Sequence, residues 1–114
     1  MRREENERLV VVWSTWPDAA SARAAARALV EARLAACGVV LPAVASVYRW
    51  KGVIEEAEEA VLLVKTRAGA AAAVTAAIER AHPYEVPAVL TLPIDSAAAA
   101  YGAWVLAETD PPAA

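Results

Sequence analysis

The chain has 114 residues, of which 59% are hydrophobic and 22% are charged, with a formal net charge of −3 at pH 7. This composition predicts one globular domain with its own core and excludes a disordered chain. The acidic balance argues against nucleic-acid binding, which usually shows a basic patch. Cys37 is the only cysteine, which rules out a disulfide within the chain and fits a reducing cytoplasm.

The first third of the chain predicts a tail, a strand and a helix. Residues 1–8 mix both charge signs and are expected to be a frayed, flexible tail. The run from Leu9 to Trp13 is typical of a central strand buried on both faces, and it is too short for a signal-peptide core or a membrane span. Asp18 is a good N-cap for the helix that follows. We expect Cys37 to lie on the apolar stripe of this helix as a buried, unreactive thiol, and Gly38 to end the helix.

A long β-hairpin follows this helix. Residues 39–51 can all be extended, which gives roughly 43 Å at about 3.3 Å per residue, whereas a globule of this length has a radius of gyration of about 13 Å. Gly52 supplies the positive φ that a tight reversal needs, and a second strand is expected over residues 58–66. Such a hairpin cannot be covered by its own subunit, so we expect an obligate oligomer.

The second half predicts a helix, an edge strand and a last helix. The helix spans about residues 67–81 and must end before Pro83. A strand over residues 86–94 carries two prolines on one side, which indicates an edge strand or a strand end. Asp95-Ser96 is expected to cap the last helix.

The element order β-α-β-β-α-β-α predicts an α+β, ferredoxin-like fold with an additional C-terminal helix. We expect this single domain to span residues 9–109, with a C-terminal tail over residues 110–114. Two helices cover only one face of such a sheet, yet both faces of this sheet are apolar. A large exposed apolar face marks an interface, so the sheet also indicates an oligomer.

The residues suited to chemistry are few. His82 is the only histidine. It is either a metal ligand or acid–base group, or a residue that interacts with the free carbonyls at a helix C-terminus. The residue taken alone favours the helix C-terminus. The acidic run that ends at Glu59 is typical of a solvated edge. Glu59 itself is expected to be half buried and to pair with Lys65 or Arg49. The sequence has no spacing typical of a zinc site, no phosphate-binding glycine loop, and no context for a catalytic triad.

Six short motifs occur in order along the chain. They are Ser14-Thr15-x-Pro17-Asp18, Leu34-Ala35-Ala36-Cys37, Ser46-x-Tyr48-x-Trp50-x-Gly52, Glu59 ahead of Leu63-x-Lys65-Thr66, His82-Pro83-Tyr84-x-x-Pro87 and Tyr101-x-x-Trp104. Together they resemble the CutA family of divalent-cation tolerance proteins, and the resemblance covers residues 9–108. It implies a ferredoxin-like subunit, a homotrimer like that of PII signalling proteins, a cytoplasmic location and a role in tolerance of copper and other divalent metals, with no accepted reaction.

The resemblance also implies site residues. His82 matches a proposed copper ligand of the family, and we add Glu85 and Glu59 as further metal candidates. Some members have a cysteine where this chain has Ser14, a weaker ligand for soft metals. Met1 is the one soft ligand besides Cys37 in the chain. We therefore expect little Cu(I) affinity, and weak Cu(II) binding that is lost below about pH 6 as the imidazole protonates.

Aromatic and basic residues are expected at subunit boundaries. The ligand cleft between subunits is predicted to contain Trp50, Lys65, Tyr84 and Arg49, and the trimer interface to contain Tyr48, Trp50 and Trp104. Tyr and Trp are enriched at interfaces, although the same rings could line an aromatic ligand pocket.

Three functions remain open from the sequence. The first is a metal-binding tolerance protein whose partners are itself and a divalent cation such as Cu(II). The second is a PII-like sensor that binds a small anion through Lys65, Arg67 or Arg49, and the third is a structural trimer scaffold. We expect no enzyme, since no base is paired with a nucleophile, and no organic cofactor, nucleic-acid partner or membrane partner.

Overall fold

Four strands form one antiparallel sheet in the order β2-β3-β1-β4 in the computed structural model, which describes residues 2–111. This topology confirms the predicted ferredoxin-like α+β fold. In chain order the elements are α1 (Arg3–Asn6), β1 (Leu9–Trp16), α2 (Ala19–Glu31), β2 (Cys37–Trp50), β3 (Val53–Arg67), a 3₁₀ turn (Ala68–Ala70), α3 (Ala71–Ala81), β4 (Val89–Pro93) and α4 (Ala99–Glu108).

The core lies between the sheet and the helices α2 and α3. Alternate residues of the two central strands point to this side, and Val12 of β1 lies opposite Val64 of β3, both fully buried. Val74 and Ile78 of α3 are buried in the same cluster. The prediction that the first strand is central is therefore confirmed.

The hairpin of β2 and β3 gives the molecule its long axis. The principal extents are 44 × 25 × 24 Å, and residues near the hairpin tip such as Val47, Val53 and Ile54 are 57–65% exposed. Lys51 and Gly52 make the reversal with φ values of 49° and 82°, as predicted for the glycine. The second strand begins at Val53, earlier than predicted, so the hairpin is longer than the sequence suggested.

The end of α2 corrects two predictions. The helix ends at Glu31, and the residue in the left-handed region is Arg33, with φ of 59°. Gly38 lies within β2, where an added Cβ would stand 2.7 Å from the Cβ of Ala26. Gly38 is therefore needed for close packing of strand and helix and does not end the helix. Cys37 is the first residue of β2 and is only partly buried. The prediction placed it on the helix because the apolar pattern continues beyond the true helix end.

The chain ends and the last elements also differ from prediction. Arg3–Asn6 form one helical turn with Asn6 buried, within the segment expected to be frayed. The predicted cap at Asp95-Ser96 is wrong, because the chain stays non-helical through Ala98, whose ψ is 135° and whose side chain cannot cap. The fourth strand is shorter than predicted but lies at the sheet edge, as its prolines indicated. The domain boundaries stay predictions, and Met1 and residues 112–114 lie outside the described residues.

Two arginines attach the C-terminal end of α4 to the rest of the fold. Nη2 of buried Arg67 donates to the carbonyls of Leu106 (2.6 Å) and Thr109 (2.9 Å). Nη2 of Arg33 donates to the carbonyl of Ala107 (2.9 Å), and its Nε pairs with Asp110 (3.0 Å). Cationic side chains at this position satisfy free carbonyls and interact favourably with the helix dipole.

The second sheet face is apolar, as predicted, and α4 covers only part of it. Leu41, Leu90 and Leu92 on the rest of this face remain 43–54% exposed. Within residues 2–111, no helix has both the length and the hydropathy needed to span a membrane.

Candidate functional site

A cleft of about 600 Å³ lies on the second sheet face, between the hairpin and the loop that follows α3. The strand register brings its walls together, because β2 residues that alternate from Ser46 through Tyr48 to Trp50 share a face with Glu59 of β3. The residues that line the cleft are Trp13, Thr15, Ser46, Val47, Tyr48, Trp50, Glu59, Tyr84, Glu85, Val86 and Ala88.

Glu59 is the buried acid of this cleft, with only 6% of its surface exposed. Its Oε2 accepts a hydrogen bond from the hydroxyl of Tyr84 at 3.0 Å. The predicted partners are wrong. Lys65 lies six positions along the strand, about 20 Å away, and its Nζ stands 5.3 Å from the ring centre of Tyr101. Arg49 is exposed and alternates to the other face of β2.

Tyr84 keeps its phenolic proton over a wide pH range. Burial, followed by the hydrogen bond to Glu59 and the charge of Glu59, raises the pKa of Tyr84 to about 12. The hydroxyl is therefore a donor at neutral pH, and it holds one oxygen of the Glu59 carboxylate in place.

His82 joins the end of α3 to the strand β1. The side chain is 9% exposed, and its Nε2 lies 2.7 Å from the carbonyl oxygen of Thr15. The backbone N–H of Tyr84 donates to Nδ1 at 3.2 Å. A neutral imidazole with its proton on Nε2 makes both hydrogen bonds. The sequence predicted a carbonyl at the helix end as the partner of His82, but the partner is the carbonyl of Thr15 in β1.

The ring of His82 is also fixed by stacking. Its centre lies 4.3 Å from the ring of Trp16 and 4.6 Å from that of Tyr84. Tyr84 therefore connects His82, through its backbone and ring, with Glu59, through its hydroxyl. This link between two candidate residues has no signal in the sequence, since each contact depends on how the loop folds back on the sheet.

The predicted metal ligands do not form a ready-made metal centre. Both nitrogens of His82 are hydrogen-bonded, and the exposed Glu85 pairs with Lys51 at 3.7 Å. Across residues 2–111, no three His, Cys, Asp or Glu side chains are grouped to hold an ion. Ser14 lies on the core side of β1, fully buried, and accepts a hydrogen bond from Nε1 of Trp16 at 2.8 Å. A residue at this position faces away from the cleft.

The other predicted residues divide between the cleft and the surface. Trp50 and Tyr84 line the cleft, whereas Lys65 and Arg49 do not. The aromatic residues expected at a trimer interface, Tyr48, Trp50 and Trp104, are 38–44% exposed in the single chain. The sequence did not predict six of the lining residues, which are Trp13, Thr15, Ser46, Val47, Val86 and Ala88. For Trp13 and Thr15, their alternation with the core-facing residues of β1 was a usable signal.

The chain matches known proteins over most of its length. A family model described as CutA1 divalent ion tolerance protein matches residues 10–108. The chain is 42% identical over 97 residues to the protein CutA homolog of Xenopus laevis, covering 85% of this chain and 64% of that protein. It is 41% identical over 99 residues to the divalent-cation tolerance protein CutA of Thermus thermophilus, covering 87% of this chain and 96% of that protein.

Solved structures agree with the sequence comparisons. The divalent cation tolerance protein (Cut A1) of Thermus thermophilus superposes with a TM-score of 0.86 at 40% identity, covering 90% of this chain and 99% of that chain. The chain spans between half and two thirds of the length of the frog, mouse and human relatives, at 64%, 51% and 54%. Since the matched residues 10–108 include nearly every strand and helix, this chain belongs to the CutA family of divalent-cation tolerance proteins.

Proposed function

We propose that this chain acts in divalent-cation tolerance by binding a divalent cation, with Cu(II) as the first candidate, and that it catalyses no reaction. The observation that supports this most directly is Glu59, a buried carboxylate that faces a cleft and has no cationic side chain beside it within residues 2–111. A buried charge requires a compensating partner, which a bound cation would supply.

The remaining ligands would be recruited when the ion binds. Glu85 lines the same cleft, and its exposed side chain is free to turn away from Lys51. Nδ1 of His82 becomes a ligand only after it loses the hydrogen bond from Tyr84. Imidazole suits Cu(II), but this rearrangement costs about one hydrogen bond. The proposal therefore predicts weak binding, with Glu59 contributing more than His82.

Calorimetric titration with Cu(II) tests this proposal. Glu59→Gln should weaken binding more than His82→Gln does. Glu58→Gln is the matched control, because it removes the same charge from the neighbouring, exposed position on the opposite face of β3. Undiminished binding by Glu59→Gln would place the ion elsewhere, and a folded wild-type protein that binds no Cu(II) would refute the proposal.

We also propose that the chain assembles as a homotrimer in the cytoplasm. The support is the incompletely covered apolar sheet face, the protruding hairpin, and the exposed rings of Tyr48, Trp50 and Trp104. The relatives do not indicate one location, since their names include a chloroplastic CutA of Arabidopsis thaliana and a periplasmic CutA of Archaeoglobus fulgidus. The proposed location therefore rests on the single cysteine. Light scattering that returned a stable, folded monomer at micromolar concentration would contradict the assembly.

The second candidate function is a sensor that binds a small molecule, and the size of the cleft favours it over a pure scaffold. The charge of the cleft does not favour the anion considered from the sequence. Its lining contains Glu59 and Glu85 but no lysine or arginine. A sensor built on this cleft would therefore recognise a neutral or cationic ligand.

A further inference from the structure

The cleft beside the hairpin is larger than a single ion requires. Its volume is about 600 Å³, whereas one water molecule occupies about 30 Å³. Its walls are mainly aromatic and aliphatic. Its buried acid, Glu59, takes part in none of the ion pairs within residues 2–111. A group that fills this cleft therefore needs both apolar surface and a positive charge.

The hairpin carries such a group on its opposite face. Arg49 of β2 lies directly across from Ile54 of β3, so the two side chains share a face. Both are exposed, Ile54 by 62%. Arg49 and Glu59 point to opposite faces of the sheet, so they cannot pair within one chain. The hairpin thus has an apolar and cationic surface on one face and borders an apolar and acidic cleft on the other.

Arg49 is the cation on this hairpin that has no partner acid within residues 2–111. Lys51 at the turn pairs with Glu85. The other exposed arginines without an ion pair in the described part of the chain are Arg8, Arg23 and Arg80. None of these three lies on the hairpin, because one precedes β1 and the other two lie on the helices that cover the opposite sheet face.

We propose that the hairpin of a second copy of this chain fills the cleft, and that Arg49 of the partner subunit pairs with Glu59. The inference rests on the proposed assembly and names an ion pair that holds it together. Because the two surfaces lie on opposite faces of the hairpin, each copy gives its arginine to one neighbour and receives one from the other. Such a heterologous contact repeats head to tail and can close into a ring, as a trimer requires.

The chemistry of the two groups suits this contact. A guanidinium presents its N–H donors in a planar fork that matches a carboxylate. Oε2 of Glu59 accepts a hydrogen bond from Tyr84, which leaves Oε1 for the arginine. The inference goes beyond the proposed metal function, because the counter-charge of Glu59 in the ion-free assembly is a side chain. A divalent cation then has to displace this arginine, which agrees with the weak binding expected.

Zero-length cross-linking tests the contact directly. Arg49→Lys keeps the charge and supplies an amine, which a carbodiimide joins to a carboxylate in contact with it. We expect covalent dimers on a denaturing gel, with position 49 linked to Glu59 by mass spectrometry. The control Arg23→Lys, on the exposed face of α2, should give no link to Glu59. An assembled Arg49→Lys variant without this link would overturn the inference.

A double-mutant cycle measures the contribution of the pair. Arg49→Gln leaves a buried carboxylate unpaired, so the dissociation constant of the assembly should rise at least about tenfold. Light scattering on dilution measures this change. Adding Glu59→Gln to Arg49→Gln should recover most of the loss, whereas adding Glu58→Gln should not. Equal dissociation of wild type and Arg49→Gln, or additive effects of the Arg49 and Glu59 changes, would overturn the inference.

The failure of this inference is distinguishable from failure of the proposals before it. A folded wild type that stays monomeric refutes the assembly and this inference with it. An assembled protein without coupling between Arg49 and Glu59 refutes only the ion pair. Coupling in a protein that binds no Cu(II) refutes the metal function and supports the ion pair.

Discussion

Replacing His82 with alanine tests whether this histidine is first of all a structural residue. The change removes the hydrogen bond between Nε2 and the carbonyl of Thr15, and the bond from the N–H of Tyr84 to Nδ1. It also removes a ring that stacks on Trp16 at 4.3 Å. The carbonyl of Thr15 would then lose its partner in a buried site, and the N–H of Tyr84 would lose its partner in a partly buried one.

The expected loss of stability follows from these contacts. Each hydrogen bond contributes about 0.5–1.5 kcal/mol, and the ring contact about 0.5–1.5 kcal/mol. We therefore expect His82→Ala to lower the free energy of unfolding by about 2–4 kcal/mol. Urea denaturation measures this change, with wild type and variant compared at the same protomer concentration because assembly adds stability.

His82→Gln is the matched control for this substitution. Its side-chain amide can donate to the carbonyl of Thr15, so it should recover part of the loss although it cannot bind copper as an imidazole does. A free energy of unfolding for His82→Ala within about 0.5 kcal/mol of wild type would refute the structural role. Loss of Cu(II) binding by the alanine variant alone would not establish ligation, because Tyr84, and through it Glu59, depends on the same imidazole.

Three further predictions address packing, ionisation and assembly. Gly38→Ala should destabilise the fold by about 1–3 kcal/mol, because its Cβ would meet another Cβ at 2.7 Å. Gly102→Ala adds the same methyl within a helix at an ordinary contact of 3.5 Å and should stabilise by about 0.5–1 kcal/mol in the same urea assay; equal effects of the two would contradict the packing argument. Glu59→Gln should lower the pKa of Tyr84 from about 12 towards its ordinary value. The measurement is phenolate absorbance against pH, with the signal of Tyr84→Phe subtracted to isolate Tyr84. An unchanged titration would show that Glu59 does not influence Tyr84. Trp50 is 38% exposed in the single chain, so Trp50→Ala should cost about 3–5 kcal/mol per site only if a neighbouring subunit covers this ring. If the variant keeps both its mass by light scattering and its melting temperature, Trp50 is a surface residue.

The sequence by itself was sufficient for the fold and for the family. The β-branched run of β1, the N-cap at Asp18 and the reversal at Gly52 are local signals, and each depends on residues close by in the chain. Hydrophobic periodicity sets the order of strands and helices for the same reason. Where a local signal continued past its element, as in the apolar residues before Cys37, the prediction of the boundary failed.

The tertiary structure alone decided the chemistry of the site. His82 meets Thr15 across 67 positions of sequence, and Glu59 meets Tyr84 across 25. The sequence offered Lys65 as the partner of Glu59 because both share one strand face, but distance along an extended strand keeps them apart. Such pairs depend on how the loop after α3 folds back on the sheet, and no pattern of neighbouring residues encodes that approach. Composition and periodicity therefore specify which elements form, whereas packing determines which side chains share a cleft and what charge that cleft carries.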